Sequence, residues 1–163
     1  MQETSVCSNV LNATPTDTTA QAEPRRNKMV EMSATYVGDK HCELKHGPSE
    51  SKLETDAPRD NQGRGEKFSP TDLMGASLIS CILTTMGIAA ENDGINIKGA
   101  TGRVTKEMTP PPRRISSLAV EITMPVGIPV NYRAKLEERA NNCPVKLSLH
   151  PSIASPIQLI YLD

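Results

Sequence analysis

The sequence predicts one mixed domain in which strands and helices follow the order βββ-α-ββ-α-α-β. Three observations carry that expectation. Apolar and polar residues alternate with period two at 30–36, and again at 118–124, in the manner of half-buried strands. Between those runs, Ser69, Pro70 and Asp72 read as a helix start: a capping hydroxyl, a proline suited to the first helical position, and a negative charge in the first turn. Further on, Tyr132, Leu136, Ala140 and Cys143 fall on one stripe at helical spacing, with Arg133, Lys135, Glu137, Glu138 and Arg139 mostly outside it.

The elements follow in order. Residues 1–27, rich in Thr, Asn, Ala and Gln, show no apolar period, and are expected to form a disordered tail before a single domain at 28–163. Val30, Met32, Ala34 and Tyr36 then alternate with Met29, Glu31, Ser33 and Thr35 as the first strand. Cys42 and Leu44 continue the alternation, His46-Gly47-Pro48 turns the chain, and Leu53 sits in a return strand. The stretch 55–68, with Pro58, Gly63 and Gly65 among charges, is expected to be an exposed loop and a lid over a site. From Leu73 to Ala90 the chain is apolar or small almost all round, too short and too rich in Gly, Ser and Thr for a membrane span. A buried helix ending at Asn92-Asp93-Gly94 is expected. Two strands follow at 95–107 and 115–126, joined by Pro110-Pro111-Pro112, the first weakened by Gly99 and Gly102. A helix at 129–142 carries the stripe that ends on Cys143, Pro144 restarts a helical turn, and a strand at 157–162 closes the chain.

Composition excludes several functions. A chain of 163 residues supports one core rather than two. Its 18 Lys and Arg balance 19 Asp and Glu, so no net field favours nucleic acid or an anionic membrane. One Phe, three Tyr and no Trp rule out stacking platforms for bases or sugars. The N-terminal stretch has neither a basic start nor an apolar run, so the expected location is cytoplasmic. Three histidines, His41, His46 and His150, and four cysteines show no zinc spacing and no C-x-x-C, and neither a metal nor another cofactor is expected.

That leaves the cysteines. Cys7 lies in the tail, and Cys42, in a strand, reads as a small hydrophobe. Cys81, midway along the apolar helix, could be packing alone. Cys143 precedes Pro144, which puts its sulfur at the cap of a new helical turn, where unpaired N–H groups favour thiolate.

The runs FSPTDLMGASLISC, TTMGIAAENDGI, VTKEMTPPPRRI and NNCPVKLSLHP, over about residues 28–162, resemble the OsmC/Ohr superfamily, in particular its OsmC-like branch with an HGPS hairpin. The most specific features are the first cysteine deep in the Pro-initiated helix and the C-P-V motif ending the second helix. The resemblance implies an α+β fold with a strongly curved antiparallel sheet around two long central helices, in an intertwined homodimer. It also implies a thiol-dependent peroxidase acting on organic hydroperoxides in an oxidative stress response, with an external dithiol as reductant. Under it Cys81 is the thiol that attacks the peroxide and Cys143 the one that resolves the sulfenic acid.

The chain departs from that family in two places. Where the family has an activating Glu, this sequence has Thr71, and its acid is Asp72, about a hundred degrees further round the helix. The activating Arg has no clean counterpart in the first hairpin, where Cys42 or Lys45 stands near the expected place. Arg59 and Arg64 in the loop, and Lys146 after C-P-V, are substitutes to be weighed against ordinary solvated charges. The rival functions are a redox-sensing or small-molecule-binding dimer without turnover, and a dimer whose cysteines only pack.

Overall fold

Ser69 fixes the start of the central helix. Its hydroxyl accepts from the Asp72 N–H at 3.1 Å while its own N–H donates to the Asp72 carboxylate at 2.8 Å, a complete capping box with Pro70 next in line. The computed structural model describes residues 29–163; the tail expected at 1–27, with Cys7, lies outside the described residues. The elements are β1 (Met32–Gly38), β2 (His41–His46), β3 (Lys52–Asp56), α1 (Pro70–Asn92), β4 (Thr101–Met108), β5 (Ile115–Met124), α2 (Val130–Asn141), α3 (Pro144–Leu147) and β6 (Ile157–Tyr161). The order is the one expected.

The class is α+β, with a finer division than the expected single curved sheet. The strands form two three-stranded sheets, β1-β2-β3 and β4-β5-β6. The first is antiparallel throughout, with Tyr36 opposite Cys42 and Cys42 opposite Thr55. In the second, β4 runs antiparallel to β5, but β6 lies parallel to it, Val120 opposite Ile157. The parallel pairing follows from the connection: α2 and α3 intervene between β5 and β6 and supply the crossover it needs.

β5 is the strand the alternation described best. Leu118, Val120, Ile122 and Met124 are all buried and meet Leu78, Ile82 and Met86 of α1 and Leu136 and Ala140 of α2 in one core. Burying each such large side chain contributes roughly 1.5 to 3 kcal/mol. Two expectations need correction. The residues 95–100 are not strand, so the segment expected from Ile95 begins at Thr101. And β1 is not half-buried: Met32, Tyr36 and Val37 are exposed by 69%, 65% and 51%. It sits at the edge of its sheet, paired with β2 alone, and nothing in the described chain covers its faces.

α1 starts and ends where the sequence places it. At 23 residues it is long and apolar enough to cross a membrane by composition alone. Its inner face is nevertheless core, with Leu78, Ile82, Met86 and Ala90 fully buried. Its outer stripe, Met74, Ser77, Ser80, Thr84 and Ile88, is exposed at helical spacing. Gly102 lets β4 approach α1: a Cβ there would lie 2.9 Å from Ile122 Cδ1 and 3.5 Å from Leu83 Cδ1.

A candidate two-cysteine site between the helices

Cys143 is held from three directions. The stripe of α2 delivers it into the core, where it is fully buried. Pro144 then starts α3, and the Cys143 sulfur caps that turn, accepting from the Lys146 N–H at 3.4 Å. On its third side lies Cys81, partly buried on α1 and packed against the same core, near enough to act on the thiol's ionisation. Both positions follow from the sequence: a central apolar helix with Cys81 in its middle, and an amphipathic helix whose buried stripe ends at Cys143.

The electrostatics correct one expectation. The capping N–H favours thiolate at Cys143, as the C-P-V motif suggests, but it is outweighed. Burial pushes the Cys143 thiol up, the N–H of Lys146 pulls it part of the way back, and the neighbouring Cys81 raises it again. Cys143 is therefore a thiol held protonated by its surroundings rather than a ready thiolate.

The other expected residues lie elsewhere. Asp72 precedes Cys81 by nine residues of helix, roughly 13 Å along the axis. Its carboxylate caps α1 and pairs with Lys106 Nζ. Burial raises the Asp72 carboxyl, but the bonds from Lys106 and Ser69 prevail and leave it below the usual range. Arg59 donates through Nε to the Arg64 carbonyl at 3.1 Å, and Arg64 reaches Asp56 Oδ1 at 3.5 Å. Both arginines thus belong to the folded loop after β3, and within the chain they are not brought to the cysteines. Lys45 pairs with Glu50 on the surface at 2.6 Å, and Cys42 is half-buried in β2 beside Thr71 and Arg113 in a cavity of about 270 Å³.

Lys146 corrects the expectation of a solvated charge: it is partly buried, and its Nζ donates to the Ser155 carbonyl at 2.6 Å.

Sequence reasoning missed two groups. Lys106 gathers Thr71 Oγ1 at 3.0 Å and Ser69 Oγ at 3.5 Å as well as Asp72. Its signal was legible: Gly102, Val104, Lys106 and Met108 form the inner period-two face of β4, and a lysine there needs partners. The second is Asp56, only 1% exposed, which accepts from His41, Glu66 and Lys67 and closes the loop on β3. No spacing rule pairs residues so far apart. A cavity of about 860 Å³ lies between Leu53, Phe68, Ile79, Val104 and Lys106. Cys81 is two residues beyond Ile79, roughly 200° round the helix, so this cavity is on the other flank of α1.

Among the described residues no cluster of His, Cys, Asp or Glu has the makings of a metal site.

The α+β scaffold is that of a known class of proteins, and comparison places the chain within it. Residues 63–157 match the family described as OsmC-like protein, and the chain belongs to that family. It is similar to a crystal structure from Psychrobacter arcticus 273-4, provisionally described as an osmotic stress induced and detoxification response protein. The two share 40% identity over 83% of this chain and 99% of that one, with a TM-score of 0.77. The fold also matches an organic hydroperoxide resistance protein OsmC from Legionella pneumophila, at 18% identity, 83% and 99% coverage and a TM-score of 0.66. A third match is an organic hydroperoxide resistance protein from Elizabethkingia anophelis, at 14% identity, 85% and 100% coverage and a TM-score of 0.69. No match was found among curated protein sequences.

Proposed function

We propose that the protein protects against peroxides as a thiol-dependent peroxidase, reducing organic hydroperoxides through Cys81 and Cys143. The packing of both cysteines against one core, Cys81 on α1 and Cys143 at the start of α3, carries the reading. The Cys81 thiolate attacks the distal oxygen of ROOH; the O–O bond breaks, ROH leaves after taking up a proton, and Cys81 becomes a sulfenic acid. Cys143 then attacks that sulfur, water leaves, and the Cys81–Cys143 disulfide forms. An external dithiol returns both thiols. Apolar neighbours on every side of the pair, Leu78, Ile82, Leu136 and Ala140 among them, favour an organic peroxide over hydrogen peroxide. The working unit is a homodimer in the cytoplasm: the exposed Met74 and Ile88 of α1 and Met32, Tyr36 and Val37 of β1 are apolar surface that a second copy of the chain covers.

The test is a steady-state assay with cumene hydroperoxide and with hydrogen peroxide, each with a lipoyl-type dithiol and with a monothiol. Faster turnover of cumene hydroperoxide with the dithiol, abolished by Cys81→Ser, supports the reading. A second reading has its own observation: Arg59, Arg64 and Lys106 are engaged elsewhere, so among the described residues none of these three cations serves Cys81. On that reading the dimer senses redox state or binds a small molecule without turnover. Thiols that form the disulfide once but consume no further peroxide would favour it.

A further inference from the structure

Lys146 is an amine without an acid. It lies on the turn that Cys143 caps, and its Nζ is spent on one neutral acceptor, the Ser155 carbonyl, at 2.6 Å. Among the described residues no carboxylate pairs with it, whereas Lys45, Lys67, Lys106 and Lys135 all have one. A partly buried ammonium with only a carbonyl for company is costly unless a negative charge forms nearby. The nearby group able to carry one is the Cys143 sulfur, which already accepts the N–H of the same residue at 3.4 Å.

We propose that Lys146 is a positioning residue for the resolving step, its ammonium stabilising the Cys143 thiolate as it forms. This deepens the two-cysteine reading and rests on it. In the balanced step, Cys143 loses its proton and attacks the sulfur of the Cys81 sulfenic acid. The S–O bond breaks, and the departing hydroxide takes up a proton and leaves as water. Lys146 keeps its own proton throughout and supplies field alone. The lysine's own shift fits this pairing. Burial lowers Lys146 and the Cys143 charge raises it again, while the groups that act on Cys143 are Cys81 from α1 and the Lys146 and Val145 N–H groups of α3. The thiol stays protonated at rest and is helped only at the moment it must ionise.

The experiment titrates Cys143 directly. In a full-length Cys7→Ser, Cys42→Ser, Cys81→Ser chain, labelled with ¹³Cβ-cysteine, the carbon signal reports ionisation of Cys143 alone, whether or not the protein has any peroxidase activity. Lys146→Met should leave about tenfold less thiolate at a given pH, and Lys146→Arg should restore most of it. Unchanged titration in both Lys146→Met and Lys146→Gln would overturn the proposal. With Cys81 present, a stopped peroxide pulse separates this from the wider reading. Lys146→Met should slow disulfide closure while sulfenic acid forms at Cys81 at the wild-type rate. Failure of any sulfenic acid to form would count against the peroxidase and leave the titration result standing.

Discussion

Nδ1 of His41 lies 2.6 Å from Oδ1 of Asp56, joining the first residue of β2 to the last of β3 across their antiparallel pairing. The same carboxylate takes the N–H groups of Glu66 and Lys67 at 3.0 and 3.2 Å, so one buried acid ties the hairpin to the loop that leads into α1. Its hydrogen bond from His41 lowers the Asp56 carboxyl, burial opposes that, and the Glu66 N–H and Arg64 add to the lowering. A carboxyl lowered in the folded state contributes stability above its unfolded value, near 3.8, and loses it as the pH falls through the folded value. Asp56→Asn should therefore lower the unfolding temperature by several degrees at neutral pH. The gap to the wild type should shrink as the pH falls below that value; thermal unfolding followed by circular dichroism across the pH series checks both parts.

Gly102→Ala should destabilise the fold by about 1 to 3 kcal/mol, the range for overpacking a core contact. The added Cβ would press on Ile122 and on the α1 side chains Leu83 and Ile79. Urea unfolding gives the value directly, and a change near zero would mean that β4 and α1 are less closely seated than they stand here.

Much of this was legible because single residues fix local geometry. Ser69, Pro70 and Asp72 announce α1, the alternation from Leu118 to Met124 announces β5, and the stripe ending on Cys143 announces both α2 and its destination. Gly102 misled for a physical reason: in a strand a glycine reads as weakness, but here its missing side chain is the space that the Ile122 side chain of β5 occupies under α1. What the sequence could not supply was partners at long range. Lys106 reaches Thr71, and His41 reaches Asp56, through tertiary packing that no local period encodes. The thiolate expected at Cys143 failed on the same account, since the local N–H was visible in the sequence and the depth of burial was not.

Tyr132 should titrate far into the alkaline range. Burial, together with the bond it donates to Asp93 at 2.6 Å, raises its hydroxyl to about 12. A group raised in the folded state contributes stability below its unfolded value, 10.0, that is lost as pH rises through the folded one. Ultraviolet titration should show Tyr132 and Tyr161, whose hydroxyl burial also raises, both ionising late, and Tyr132→Phe should remove one of those two steps. The variant should also lose the wild type's extra alkaline sensitivity.

Sedimentation at micromolar concentration should show a dimer. Thr84→Arg, in the middle of the exposed α1 stripe, should convert it to a folded monomer, because a charged side chain there interrupts an otherwise small and apolar contact face. A wild-type chain that sediments as a stable monomer would remove the homodimer from the account.

The central claim is that Cys81 and Cys143 act as one redox pair, and its most direct measurement is disulfide mapping after one equivalent of cumene hydroperoxide. The account predicts the loss of two free thiols and a single linked pair of peptides, containing Cys81 and Cys143, with Cys42 unchanged. Cys143→Ser should instead stop at a Cys81 sulfenic acid that over-oxidises in excess peroxide. A native dimer in which neither thiol responds, or in which Cys81→Ser retains full reactivity while Cys143→Ser loses it, would contradict the assignment.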